Sequence, residues 1–342
     1  MRINNYALLL LILISAACKK AAPPKPDSIV KEDIYVVGST YAANGKNVAT
    51  FWKNGVAKKL GDSLTASTGK SIFVDGTDVY VAGTLYGVNG SSTAAYWKNG
   101  VQTKLTDDGG YADGSKIIVS HGDVYVSGYV LENDAVVTAL WKNGIVNKLA
   151  TRAYTTFPRC MAITNDGIYI ADTYMSAEYR FLTGYWKDGV FIKQGTPEQF
   201  IYPSGLAVKN SDVYIVGSID SKVNGGAKRI AAYWRNGVIT ELSDKSFGSN
   251  ATSICINGQD VYITGVTGKS DGYSGNATYW KNGNQYVLTH VAANSSANAI
   301  TINGSDIYIA GTNPFGAVYW KNGSAVQLAN NGGANGIVVI SR

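Results

Sequence analysis

The sequence predicts an all-β fold: a seven-bladed β-propeller of four-stranded antiparallel blades. Three observations carry that expectation. First, a Trp-Lys-Asn-Gly segment, with Asp188 for the Asn in one copy and Arg235 for the Lys in another, recurs seven times, at Trp52, Trp97, Trp141, Trp186, Trp234, Trp280 and Trp320, and accounts for every tryptophan. The copies lie 45, 44, 45, 48, 46 and 40 residues apart, a period typical of propellers and solenoids. Second, each copy follows an aromatic, β-branched run such as Asp78-Val79-Tyr80-Val81-Ala82-Gly83, which is strand chemistry. Third, the two ends of the repeat array complement each other. The first repeat lacks its opening strand, and Ala334-Asn335-Gly336-Ile337-Val338-Val339-Ile340 repeats that missing strand and then stops. Closing a ring leaves no repeat incomplete, whereas a solenoid would leave two.

Within one repeat four strands, A to D, can be read in order. Strand A is a short apolar run: Ile72-Phe73-Val74, Ile117-Ile118-Val119, Met161-Ala162-Ile163, Leu206-Ala207-Val208, Ile254-Cys255-Ile256 or Ile300-Thr301-Ile302. A tight polar turn such as Asp75-Gly76-Thr77 leads into strand B, the tyrosine run, which is apolar on both faces as in stacked sheets. Strand C ends in the Trp motif. Its Asn-Gly pair suits a two-residue hairpin in which both turn positions have positive φ. Strand D follows, as in Val101-Gln102-Thr103-Lys104-Leu105, with alternate residues on one face.

Composition supports this reading. The 342 residues include 39 Gly and 23 Tyr, with only 16% charged residues, a profile of strands and turns. The net charge of +6 is spread along the chain, so no nucleic-acid footprint is indicated. Two histidines leave few parts for metal or His-based catalytic sites, and no cofactor is expected. Cys160 and Cys255 sit in different registers of non-adjacent repeats and read as buried free thiols.

The N-terminus reads as an address. Met1-Arg2 is positive, Ala7 to Ile14 is apolar, and Ser15-Ala16-Ala17 supplies small residues before Cys18. The run is far below the ~20 residues of a membrane-spanning helix. This stretch resembles a bacterial lipoprotein signal, residues 1–17, in which Cys18 becomes the lipidated first residue. Residues 18–32, with Lys19-Lys20-Ala21-Ala22-Pro23-Pro24-Lys25-Pro26, read as an extended tether, and 33–342 as the propeller. The expected location is the cell envelope, anchored by lipid at Cys18, outer-membrane and periplasmic or surface-exposed. A monomer is expected.

The Trp-x-Asn-Gly spacing, with Leu eight residues after Trp in pairs such as Trp52/Leu60, Trp97/Leu105 and Trp320/Leu328, resembles the HAF-type extracellular repeat. The fourth repeat departs with Gln194. That resemblance implies a propeller and brings no activity with it.

In such a blade the A–B and C–D turns share one side of the disc, and here they are short and nearly uniform. The B–C and D–A loops share the other side and differ in every repeat, which is how repeat scaffolds present a binding surface. The candidate ligand-binding residues on it are Tyr111, Tyr154, Phe157, Arg159, Tyr174, Tyr179, Arg180 and Tyr202, with Phe200, Phe247 and Phe315 beside them. Exposed aromatics near polar groups suit an extracellular glycan or a protein partner; each could also simply fill the space under its loop. The seven repeated Trp and Tyr residues are expected to pack between blades, and the turn cations and aspartates to offset each other on a solvated rim. Asp107 to Asp113 carries enough carboxylates for a Ca²⁺ loop but lacks EF-hand spacing. The function expected is a non-enzymatic envelope binding module. The alternative is a propeller hydrolase or lyase acting on polysaccharide through loop acids, Asp172, Glu132, Glu178 and Glu198 among them.

Overall fold

The computed structural model describes residues 31–149, 158–175, 181–195, 201–223, 226–243, 246–268, 275–289 and 294–342. Cys18 and the tether lie outside the described residues. Residues Glu32–Arg342 form one compact unit.

That unit is a ring of seven four-stranded antiparallel sheets. Blade 2 is representative, with strands A to D at Ala66–Asp75, Asp78–Tyr86, Ser92–Lys98 and Val101–Lys104. Strand A is longer than its apolar run suggested, because it continues upstream through Ser67 to Lys70 as polar chain. Blade 1 draws its strand A from the far end of the sequence. Gly333–Ser341 pairs with Glu32–Tyr41, setting Tyr35 opposite Val338 and Ile34 opposite Val339. The ring is therefore closed by hydrogen bonds between the two ends of the array, as expected.

The core lies between blades. Trp52, Trp97, Trp141, Trp234, Trp280 and Trp320 are all at most 1% exposed. Trp97 of blade 2 packs with Val37, Ala49 and Phe51 of blade 1; Trp52 of blade 1 packs with Tyr308, Ala310 and Ala317 of blade 7. Each indole removes ~150–250 Å² from water, so no blade can bury its own apolar face alone. This is why the Trp recurs.

The uniform face is a second repeated device. In blade 2, Asn99 and Gly100 take φ of 55° and 92°, the left-handed values that a two-residue turn needs. The Asn99 amide donates to Asp78 at 2.8 Å, and its oxygen accepts from the Val79 backbone N–H at 2.9 Å. Lys98 reaches Asp78 at 2.8 Å and lies 5.1 Å over the Tyr80 ring. The same triad recurs around Asp33, Asp123, Asp212, Asp260 and Asp306. In blade 4, where Gly167 replaces the aspartate, Asp166 takes Lys187 at 3.2 Å instead. The turn cations are thus paired, as the sequence suggested.

Candidate functional site

The site begins with a break in strand register. Six of the seven A strands skip one residue in their pairing with strand B: Lys70, Ser115, Ser204, Thr252, Asn298 and Asn335. A skipped residue leaves the alternation of the strand and is re-aimed. The opposing residue on strand B is glycine in each case. A Cβ there would meet the A-strand carbonyl at 1.8–2.0 Å, as Gly83 would with Thr68 and Gly128 with Asp113. Blade 4 is built differently. Asp172 holds the glycine position, strand A starts only at Cys160, opposite Ala171, and Arg159 precedes it.

The six skipped residues and Arg159 converge on the ring axis. They line the central channel, whose wider part is a cavity of about 540 Å³. Thr68, Thr84, Tyr86, Ser92, Asp113, Tyr129 and Asn250 complete its wall. Tyr86 ends strand B and Ser92 begins strand C of blade 2, so the mouth opens on the side of the variable loops. A narrower part of about 170 Å³ continues inward past Ser71, Lys116, Cys160 and Ser253.

Several of these side chains also stitch blades together. Thr252 donates to the Ala297 carbonyl at 2.6 Å, Asn298 to that of Ala334 at 2.8 Å, and Asn335 to that of Gly69 at 2.9 Å. Each acceptor is the residue just before the next blade's skipped residue. The pattern changes at Lys70, which forms an ion pair with Asp113. Asp113 also accepts from Thr84 at 3.0 Å and Ser115 at 2.7 Å. Burial pushes its carboxyl up, but Lys70 and the two hydroxyls outweigh that and hold it below the usual range. This corner is therefore charged but internally neutral.

Two other cations in the channel are not neutralised. Arg159 is exposed within the cavity and makes no ion pair or hydrogen bond with a described residue. Lys116, half-buried deeper in the channel, makes none either. Burial lowers the Lys116 ammonium, and Cys160 and Cys255 are its titratable neighbours. The Cys160 thiol is pushed up to about 12, first by burial and then by Asp172, so it is inert. The Tyr129 hydroxyl is likewise raised to about 12, by burial and by Asp113, with Arg159 acting in the opposite direction.

Of the sequence candidates, Arg159 lines the cavity. Tyr111 is 48% exposed beside the mouth, bridged to Ser92. Tyr202 begins strand A of blade 5 and sits away from the cavity. Its hydroxyl donates to Asp220 at 3.3 Å, and the Arg229 guanidinium lies 4.6 Å over its ring. Tyr174 lies in strand B of blade 4, opposite Leu182. Tyr154, Phe157, Tyr179, Arg180, Phe200, Glu178 and Glu198 lie outside the described residues. Phe247 and Phe315 are exposed. Glu132 pairs with Lys148 at 2.8 Å. In the acidic run, Asp108 turns to Lys104 at 2.5 Å while Asp113 turns to Lys70, so these carboxylates do not converge.

Two sequence readings are corrected. Asp172 is not a loop acid. It is a fully buried residue of strand B and does not line the channel. Cys255 is half-buried, not buried; Cys160 and Cys255 are both free. The channel residues themselves were missed. The signal was present: the residue two before the first apolar residue of each strand A is polar in all seven repeats and of five types, Lys70, Ser115, Arg159, Ser204, Thr252, Asn298 and Asn335.

No family model matches the chain, and no curated protein matches it. Among solved structures, a puromycin-hydrolysing peptidase from Mycobacterium tuberculosis is 10% identical over 76% of this chain, with a TM-score of 0.42. The chain spans about half of that protein, 53%. The β-propeller domain of the Trilobed protease from Pyrococcus furiosus is also 10% identical, with a TM-score of 0.52, over 88% of this chain and 97% of that one. That domain is described as having an open velcro topology, whereas here the terminal strands pair. At such identity the likeness concerns the fold alone, a β-propeller.

Proposed function

We propose that this chain is a non-enzymatic binding module of the cell envelope, anchored through a lipid on Cys18, which takes a glycan into the loop-side mouth of its channel. One observation carries the reading. The same register break in six blades delivers polar side chains to the axis, and they are of four types, Lys, Ser, Thr and Asn, on one constant scaffold. Hydroxyls of Thr68, Thr84 and Ser92 and amides of Asn250 and Asn298 line the cavity. They can donate and accept together, as sugar hydroxyls require. Tyr86 and Tyr129 add ring faces. A cavity of about 540 Å³ falls in the range that holds small ligands, ~300–1,000 Å³.

The test is a glycan array probed with the full chain, followed by chromatography of any bound oligosaccharide. Retention without cleavage is expected. Product formation would favour the hydrolase or lyase reading, and an array with no retained glycan would sink the glycan reading. Release of the protein from membranes by Cys18→Ala, with loss of fatty-acid labelling, would test the anchor.

A further inference from the structure

We infer that the channel selects an acidic sugar unit, whose carboxylate sits between Arg159 at the mouth and Lys116 deeper in the channel. This rests on the glycan reading and adds the substrate class to it. The argument is one of charge accounting along the axis. Four ionisable side chains of acid or base type line the two parts of the channel: Lys70, Asp113, Lys116 and Arg159. Lys70 and Asp113 cancel, and Thr84 and Ser115 satisfy the remaining acceptor capacity of Asp113. Arg159 and Lys116 remain, two cations with no acid of this chain's described residues against either.

The repeated cations of the uniform face are placed differently. Each of the seven turn cations, from Lys53 to Lys321, has a carboxylate within 3.3 Å. Those pairs are at the rim, where solvent would have screened an unpaired charge cheaply. Lys116 is instead half-buried inside a concave site, where a missing counter-charge costs more, and Arg159 faces the same cavity. A bound anion removes that cost.

The position of Arg159 adds a second argument. In the other six blades the equivalent residue is fixed by a register break. Arg159 stands just before its strand, in the one blade where Asp172 replaces the glycine opposite. Its guanidinium presents a fork of N–H donors to the cavity, which matches a carboxylate in two-point geometry. Tyr129, which Arg159 influences electrostatically, offers a ring face beside it. The hydroxyls and amides around the wall then address the neutral part of the same sugar.

The experiment uses the full chain on an array of uronate-containing oligosaccharides of several stereochemistries, each printed beside its carboxyl-reduced twin. The acidic member of at least one pair is expected to bind at least ~10-fold more tightly than its twin, the range of a charge-assisted contact. In Arg159→Gln that preference should fall several-fold while residual binding of the neutral twin persists. Lys116→Met should lower it further. Far-UV circular dichroism and melting temperature report whether each variant is folded; Arg159 is exposed, so its replacement leaves the core untouched. If twins bind equally, or if Arg159→Gln keeps the preference intact, the carboxylate assignment is overturned while the glycan reading survives. If no member of any pair binds, both are overturned.

Discussion

The indole N–H of Trp186 donates to Asp172 at 3.0 Å. Both belong to blade 4, and among the described residues no other tryptophan bonds to an acid at the equivalent strand B position, which is glycine in the other blades. The indole nitrogens of Trp52, Trp97, Trp141, Trp234 and Trp280 have no protein partner. Asp172 also accepts from the Thr138 hydroxyl of blade 3 at 2.5 Å. A single aspartate at the repeat's glycine position thus joins two blades, in the one blade where Arg159 lies just outside strand A.

This pair has a pH signature. Burial raises the Asp172 carboxyl from its ordinary value to about 7, against the smaller opposing effect of Thr138 and Trp186. The folded protein therefore binds more protons than the unfolded chain between pH ~4 and ~7. Stability from this group is full below pH ~4 and is lost as pH rises to about 7. The span is on the order of 4 kcal/mol. Denaturant titrations of the wild type and Asp172→Asn across pH 4–8 should differ in slope over that window. Parallel pH profiles would refute the assignment.

The glycines opposite the register breaks set a second test. At Gly128 an added Cβ would lie 1.8 Å from the Asp113 carbonyl oxygen, which no side-chain motion relieves. Gly128→Ala should cost ~3 kcal/mol or more. It should also displace Asp113 from Lys70 and weaken ligand binding at the channel. A variant with an unchanged unfolding midpoint would show that strand A can shift without penalty.

Ring closure can be tested at the far end of the chain. Ile337 is 6% exposed and packs with Val36 and Trp52. Ile337→Ala should cost ~2–5 kcal/mol. Deleting residues 333–342 should do worse, because it bares the edge of strand Glu32–Tyr41 to other chains. Calorimetry and size-exclusion chromatography would report a fall in melting temperature and the onset of association. A truncated chain that melts as the full one does would remove the case for closure as a source of stability.

A fourth prediction concerns the seam between blades 3 and 4. Leu140 stands where the other repeats place Phe51, Tyr96, Tyr185, Tyr233, Tyr279 and Tyr319. Beside it lies a largely apolar groove of about 430 Å³, walled by Ile145, Val146, Leu149, Ile170 and Trp186. Trp186 is 8% exposed there, while the other six tryptophans are at most 1% exposed. Leu140→Tyr should fill part of the groove and stabilise the protein by ~1 kcal/mol. An increased denaturant midpoint at constant slope would agree; a decrease would mean the seam cannot accept the ring.

Local chemistry made the scaffold readable. The Trp97 burial, the Asn99-Gly100 turn and the Asp78 partner all follow from short-range patterns that recur seven times. Even the departure in blade 4 was visible at Asp172, although its location was not. An aspartate-for-glycine exchange at the end of a strand reads equally well as a loop acid. Only the neighbouring Thr138 and Trp186, 34 and 14 residues away, show that it is interior.

By itself, then, the sequence determined the number of blades, the strand order and the partner of the last strand, because periodicity and hairpin chemistry are written in adjacent residues. The tertiary structure decided which side chains share the axis. Lys70, Asp113, Arg159 and Asn335 come from four blades and meet only because seven strands converge there, six of them with one residue turned inward by a slip in register. A slip of that kind depends on the space beside a neighbouring backbone, and linear spacing carries no record of it.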